Sequence, residues 1–293
     1  MTPAPSSNLE PTLGPLNPGN VVSAAIRLYR DRLKMYFILS LRANLWVMLP
    51  IYGWAKYGMH AGLMSRLAFQ ELMNQPETPR EGYRQVGSKL WAFLGLGVLL
   101  MLIFFGAYIA VVLVGILVGV TVGGLLSYLL TAIFGEGGAV FGVIVTTLVV
   151  VVAVLAGLLW IFGRLVVAEV PMAVEPRVDP STSIGRSWNL SKKSIVRIQF
   201  VLVASYLIFL PIWLVFSIVP QFFVLAAEPG TALYWLLYSI GLVLSLASGV
   251  VTLPFWQIMK GVLYYDLRSR REGIDLKLAT DTPTDTLPDE PLQ

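Results

Sequence analysis

Two stretches of the chain, residues 91–163 and 198–259, contain one charged residue each, Glu136 and Glu228. A bilayer's hydrocarbon core is about 30 Å thick and takes about 20 apolar residues of helix to cross. Each stretch is long enough for two crossings, and each lone acid stands near the middle, where a turn belongs. Two membrane hairpins are therefore expected. A soluble fold does not fit this pattern. The chain is 56% hydrophobic and 13% charged, with a mean hydropathy of +0.74, whereas a soluble domain is about 25% charged. The apolar residues also lie in uninterrupted runs, unlike those of a soluble core.

Residue types narrow the chemistry. Cysteine is absent, which removes disulfides, thiolate metal sites and cysteine nucleophiles. His60 is the only histidine, so no histidine cluster for a metal exists, and no cofactor is expected. Gly135-Glu-Gly-Gly138 reads as a tight turn, because a phosphate-cradling loop would continue into Lys-Ser/Thr.

Net charge is +4, and its placement carries topology. Basic residues gather at 27–34, at 80–89, at 164–197 and from Lys260 through Arg268, Arg270, Arg271 and Lys277. The segments around Glu136 and Glu228 hold none. Cytoplasmic loops collect Lys and Arg, so all four clusters are expected on the cytoplasmic side of a bacterial inner membrane, with both termini there. Positive charge flanking membrane spans fits anionic lipid headgroups, and no nucleic-acid partner is expected. Residues 1–19 and 272–293, rich in proline and polar residues, read as disordered tails around a single helical membrane domain at 20–271.

A repeat organises that domain. Arg66-Leu-Ala-Phe-Gln-Glu71-Leu resembles Arg164-Leu-Val-Val-Ala-Glu169-Val, and Gly261-Val-Leu-Tyr-Tyr-Asp266-Leu keeps the acid but not the leading arginine. A polar segment mixing basic residues with spaced aliphatics precedes each hairpin, as suits a helix lying on the cytoplasmic face. The expected fold is all-α: about six transmembrane helices in three hairpins, each preceded by a cytoplasmic interfacial amphipathic helix. The first hairpin, 36–72, covers the bilayer thinly, with Pro50 and Gly53 as turn residues. A single helix over 36–59 would give five crossings and put Arg27, Arg30, Arg32 and Lys34 outside, against the charge rule. The arm at 91–135 is longer than one span, so it either protrudes or adds a buried turn.

Polar groups within a membrane are the default place to seek function, and the first hairpin gathers Arg42, Asn44, Lys56, His60 and Arg66. Arg42 and Trp46 are one helical turn apart, spaced for a cation–π contact, and long basic side chains near interfaces also snorkel to water. Gly115, Gly119 and Gly123, like Gly241, Ser245 and Gly249, recur at spacing four and mark close helix packing, within one subunit or in a homo-oligomer. Glu71, Glu169 and Asp266 are expected to pair with basic residues of the interfacial helices. Pro211, Pro220 and Pro254 are expected to kink or end their helices.

Three segments carry a family resemblance: Gly19-Asn-Val-Val-Ser-Ala-Ala-Ile-Arg-Leu-Tyr-Arg30, Ser183-Ile-Gly-Arg-Ser-Trp-Asn-Leu-Ser191 and Leu263-Tyr-Tyr-Asp-Leu-Arg-Ser-Arg-Arg-Glu-Gly273. Together they are similar to a bacterial six-span membrane domain family of unknown function, which includes the membrane domain found beside glycerophosphoryl diester phosphodiesterases. The resemblance spans 19–273 and implies architecture. The enzyme's barrel, with its metal-binding acids and histidines, has no counterpart, so its activity is not implied. The sequence thus points to a non-enzymatic scaffold or regulator acting through membrane lipids, a protein partner or further copies of itself. The alternative is a small transporter or lipid carrier using the polar first hairpin.

Overall fold

A computed structural model describes residues 17–273. The tails proposed at 1–19 and 272–293, and Lys277 with them, lie almost wholly outside the described residues. Those that are described, apart from short turns, form helices.

Local chemistry sets the helix ends. α1 (Pro18–Asp31) opens on proline, whose fixed φ and missing N–H suit a first helical turn. A one-residue break at Arg32 leads into α2 (Leu33–Val47), and a turn over 48–51 leads into α3 (Tyr52–Leu72). α4 (Pro79–Gly87) begins with a capping box, in which Thr78 accepts from the Glu81 N–H and Glu81 accepts from the Thr78 N–H. α5 (Leu90–Val118) continues through a π-helical turn, Gly119–Gly123, into α6 (Gly124–Phe134). The chain then reverses at Gly135, whose φ of 70° only glycine adopts freely, and enters α7 (Glu136–Leu165). The short α8 (Glu169–Val174) and α9 (Pro180–Ser191) come next. α10 (Ile195–Trp213) runs through a second π turn, Leu214–Ile218, into α11 (Val219–Ala226). α12 (Ala232–Glu272) is capped by the Thr231 hydroxyl and ends on left-handed Gly273. Pro220 opens α11, while Pro211 and Pro254 lie inside α10 and α12.

Among the described residues, four rods are long and apolar enough to cross a membrane: Leu90–Phe134 (45 residues), Glu136–Val174 (39), Ile195–Ala226 (32) and Ala232–Glu272 (41). At 1.5 Å per residue the first is about 68 Å long, more than twice the hydrocarbon thickness. The overlong arm therefore continues as one unbroken helical run through its π turn without folding back. Leu117, Val120, Tyr128, Phe222, Leu225 and Trp235 stand exposed along these rods. So much exposed apolar surface fits hydrocarbon, not water, and the chain has the build of an integral membrane protein.

Small residues let the rods approach. A Cβ on Gly115 would sit 3.1 Å from Val150 and one on Gly123 would sit 2.7 Å from Thr146, so this stripe packs α5 and its π turn onto α7. Phe209 of α10 stacks on Phe255 of α12 with ring centroids 4.4 Å apart.

The packed core lies elsewhere, where α3 meets the second half of α12. Met59, Leu63, Met64 and Leu67 close against Phe255, Ile258, Val262 and Leu263, all buried. At Gly261 an added Cβ would lie 2.6 Å from the Ser65 carbonyl oxygen, and the Ser65 hydroxyl donates to Gln257 Oε1 at 3.0 Å. α3 passes too closely at Gly261 for any side chain there, so no counterpart of Arg66 or Arg164 fits at this position. α1 buries Val21, Val22, Ala25 and Leu28, leaving Arg27 and Arg30 exposed.

Two expectations change in detail. α3, read as one thin arm, is largely buried at the centre of the fold, while its partner α2 has 15 residues, about 22 Å. Gly53 is not in the turn but in the first turn of α3, where a Cβ would come within 1.9 Å of the Trp46 carbonyl oxygen.

Candidate functional site

The five polar residues of the first hairpin divide by environment. Arg66 is buried, with 8% of its surface exposed. Its Nε and Nη2 donate to the two carboxylate oxygens of Glu77 at 2.8 and 2.6 Å. Its Nη1 donates to the carbonyls of Ala173 and Val174 at 2.9 and 3.2 Å. Lys89 donates to the carbonyls of Met172 and Glu175 at 2.9 and 2.6 Å. The final carbonyls of a helix have no partner within it and carry partial negative charge. Two cations from elsewhere in the chain thus satisfy the C-terminal end of α8. Burial raises the Glu77 carboxyl, but the hydrogen bonds from Arg66 and Gln70 and the Arg66 charge outweigh it and hold the group below its ordinary value. Burial, with Arg66 nearby, holds Lys89 below its own.

Lys56 sits in a ring of aromatics. Its ammonium lies 6.0, 5.5 and 5.6 Å from the ring centroids of Trp46, Tyr52 and Tyr83, and donates to the Tyr83 hydroxyl at 3.0 Å. The cation over Trp46 is therefore Lys56 from the facing helix, and not Arg42 one turn away as its spacing suggested. Arg42 is exposed. His60 Nδ1 lies 2.7 Å from the Lys56 carbonyl oxygen. A carbonyl only accepts, so Nδ1 carries the proton. Asn44 donates to the Ser40 carbonyl at 2.9 Å and faces Gly249 of α12.

A second polar cluster joins two of the motif segments, which are far apart in the sequence. Arg186 of α9 reaches Glu175 at 2.7 Å, Glu272 at 2.8 Å and the Tyr264 hydroxyl at 3.1 Å. Tyr264 donates to Glu175, and Arg268 pairs with Glu272 at 2.8 Å. Burial lowers Arg186, but the Tyr264 hydrogen bond and the charges of Glu175 and Glu272 hold it above its usual value. Nearby, the Arg164 guanidinium lies between Trp160 and Trp188, 5.1 and 4.9 Å from their centroids, and donates to the Trp188 carbonyl. The Arg-Ser-Trp and Tyr-Tyr-Asp-Leu-Arg elements were the available signal. They are the two faces of this clamp between α9 and α12.

The repeated acids are all paired. Glu71 meets Arg32 at 3.2 Å, Glu169 meets Lys260 at 2.6 Å, and the fully buried Asp266 meets Arg197 at 3.1 Å and Arg270 at 3.3 Å. Glu71–Arg32 and the two Asp266 pairs join residues 69 positions apart or closer, while Glu169–Lys260 ties the end of the second rod to α12 across 91 positions. In the small-residue stripes, Gly119 also faces Val150, Gly241 faces Pro220, and Ser245 is exposed. Chemically, this polar head fastens helices together. Arg66, Lys89, Arg164, Arg186, Arg197 and Lys260 each meet a carboxylate, a carbonyl or an aromatic ring from another segment.

The chain matches no family model, no curated protein and no solved structure.

Proposed function

We propose that this chain is a multi-pass protein of a bacterial cytoplasmic membrane that acts as a non-enzymatic scaffold or regulator through lipid or protein partners. In this reading the four apolar rods cross as two pairs, α2–α3 enters as a third, shorter pair, and both termini lie in the cytoplasm. The charge rule supports that orientation, because Arg32, Lys89, Arg164, Arg197 and Lys260 all lie toward one end of the helices they flank. α1, α4 and α9 are the polar helices that precede the three pairs. The likeness to the phosphodiesterase-associated membrane domain belongs to the same proposal.

One observation carries the choice of function. Four of the five polar residues of the first hairpin, which a carrier would use along a pathway, are engaged internally: Arg66 on Glu77 and α8, Lys56 on its aromatic ring, His60 and Asn44 on backbone carbonyls, while Arg42 is exposed. What the molecule presents outward is apolar rod surface and unpaired cations, the materials of an interaction surface. Extraction into native lipid discs, followed by mass spectrometry of everything retained, tests this. A protein held at fixed stoichiometry is expected. A single solute, lost when Arg42 or Lys56 is changed to leucine, would instead make the chain a carrier.

A further inference from the structure

Several of the described cations face neither a carboxylate nor a carbonyl, and Lys192 and Lys193 are two of them that stand side by side. They occupy the link between α9 and α10, both exposed, and among the described residues no carboxylate lies within ion-pairing distance of either. They line a cleft of about 390 Å³ together with Ser194, Arg197, Val196 and Phe200. Arg197 gives one nitrogen to Asp266, while its Nε is buried with no hydrogen-bond partner. The cleft also includes the first turn of α10, whose backbone N–H groups lack partners within the helix and favour negative charge.

Its apolar side has a direction. Val196 and Phe200 are 66% and 63% exposed, and Val203 and Leu207, also exposed, follow at the spacing of one helix face. A cationic cleft thus opens onto an apolar stripe running along a rod built for hydrocarbon. A free phosphate would use the cleft and ignore the stripe. A lipid uses both.

Resting on the membrane reading above, we infer that this cleft is a binding site for one anionic phospholipid, its phosphodiester headgroup between Lys192, Lys193 and the start of α10, and an acyl chain along Val196, Phe200, Val203 and Leu207. Basic pockets beside transmembrane helices on the cytoplasmic side suit such headgroups.

The test uses the full chain in discs of phosphatidylcholine containing a minor fraction of phosphatidylglycerol, with native mass spectrometry of the lipids that stay bound. Retention of phosphatidylglycerol over phosphatidylcholine is expected, falling about fivefold for each lysine removed in Lys192→Gln and Lys193→Gln and recovering in the paired arginine variant. Arg80→Gln with Arg84→Gln, which removes equal charge from α4, leaves the preference unchanged. Undiminished preference in the lysine variants overturns the site, as does equal loss in the α4 control. Displacement of the lipid by inorganic phosphate would make this a soluble-anion site and overturn the lipid assignment. Failure of the natural chain to enter discs at all would strike the membrane reading itself, so the two failures are distinguishable.

Discussion

Replacing Arg66 by leucine removes one side chain and strands another, together with two backbone carbonyls. The guanidinium makes two hydrogen bonds to Glu77 and two to the carbonyls at the end of α8, from a position 8% exposed. Leucine leaves Glu77, with 20% of its side chain exposed, without its counter-charge, and frees the Ala173 and Val174 carbonyls in a buried setting. Breaking a buried pair from one side costs about 3–5 kcal/mol, and an orphaned carbonyl costs about 1–3 kcal/mol. These overlap, because the loosened end of α8 can reach water, so the expected loss is about 4 kcal/mol. For a chain this size that is about 10 °C in unfolding temperature. Tryptophan fluorescence during thermal unfolding in mild detergent reports it, since Trp91, Trp160 and Trp188 lie in or beside the head. Arg66→Lys keeps charge but not the bidentate fork and should lose about half as much. An Arg66→Leu protein unfolding within 2 °C of the natural one would refute the reasoning and return Arg66 to the candidates for a transport pathway.

Other consequences follow from the same contacts. Glu77 has a depressed folded-state pKa, so its pairing stabilises the head above its ordinary value of 4.5 and is lost as pH falls below that value. Unfolding midpoints between pH 7 and pH 3 should show this loss in the natural protein and a weaker one in Arg66→Leu. Gly261→Ala should destabilise by about 1–3 kcal/mol by forcing α12 off the Ser65 carbonyl. Gly58→Ala, whose new Cβ would meet Phe93 at an ordinary 3.5 Å, should be tolerated, and equal effects from the two would contradict the α3–α12 crossing. Lys56→Met should cost about 1 kcal/mol of cation–π energy and alter Trp46 emission, whereas Arg42→Met should leave that emission unchanged.

The membrane character was legible because it rests on a local signal, apolar run length; charge placement marked the acids for pairing, but Glu169 takes Lys260 of α12 and not a residue of an interfacial helix. The lone acids marked real turns: the rods break at Gly135, beside Glu136, and over 227–231, around Glu228. Less visible was the weight carried by α3. Its window mixes Lys56, His60 and Arg66 with small residues, which read as a poor span, yet glycine, alanine and serine are what allow α12 and Phe93 to close on it. Arg66 looked like a site residue because its partners, Glu77 and the end of α8, are separated from it in sequence by 11 and about 107 positions. No periodicity links residues so far apart. The Arg186–Tyr264 clamp was hidden in the same way, although both segments had drawn notice as motifs.

The orientation on which the account depends can be read directly, because the natural chain has no cysteine. Single cysteines introduced as Asn20→Cys, Glu136→Cys and Glu228→Cys would be exposed on intact cells to a membrane-impermeant thiol reagent. Labelling is expected at 136 and 228, and at 20 only after the membrane is opened. Labelling of Asn20→Cys on intact cells, or protection of either turn position, would contradict a cytoplasmic polar head with its apolar pairs crossing the bilayer.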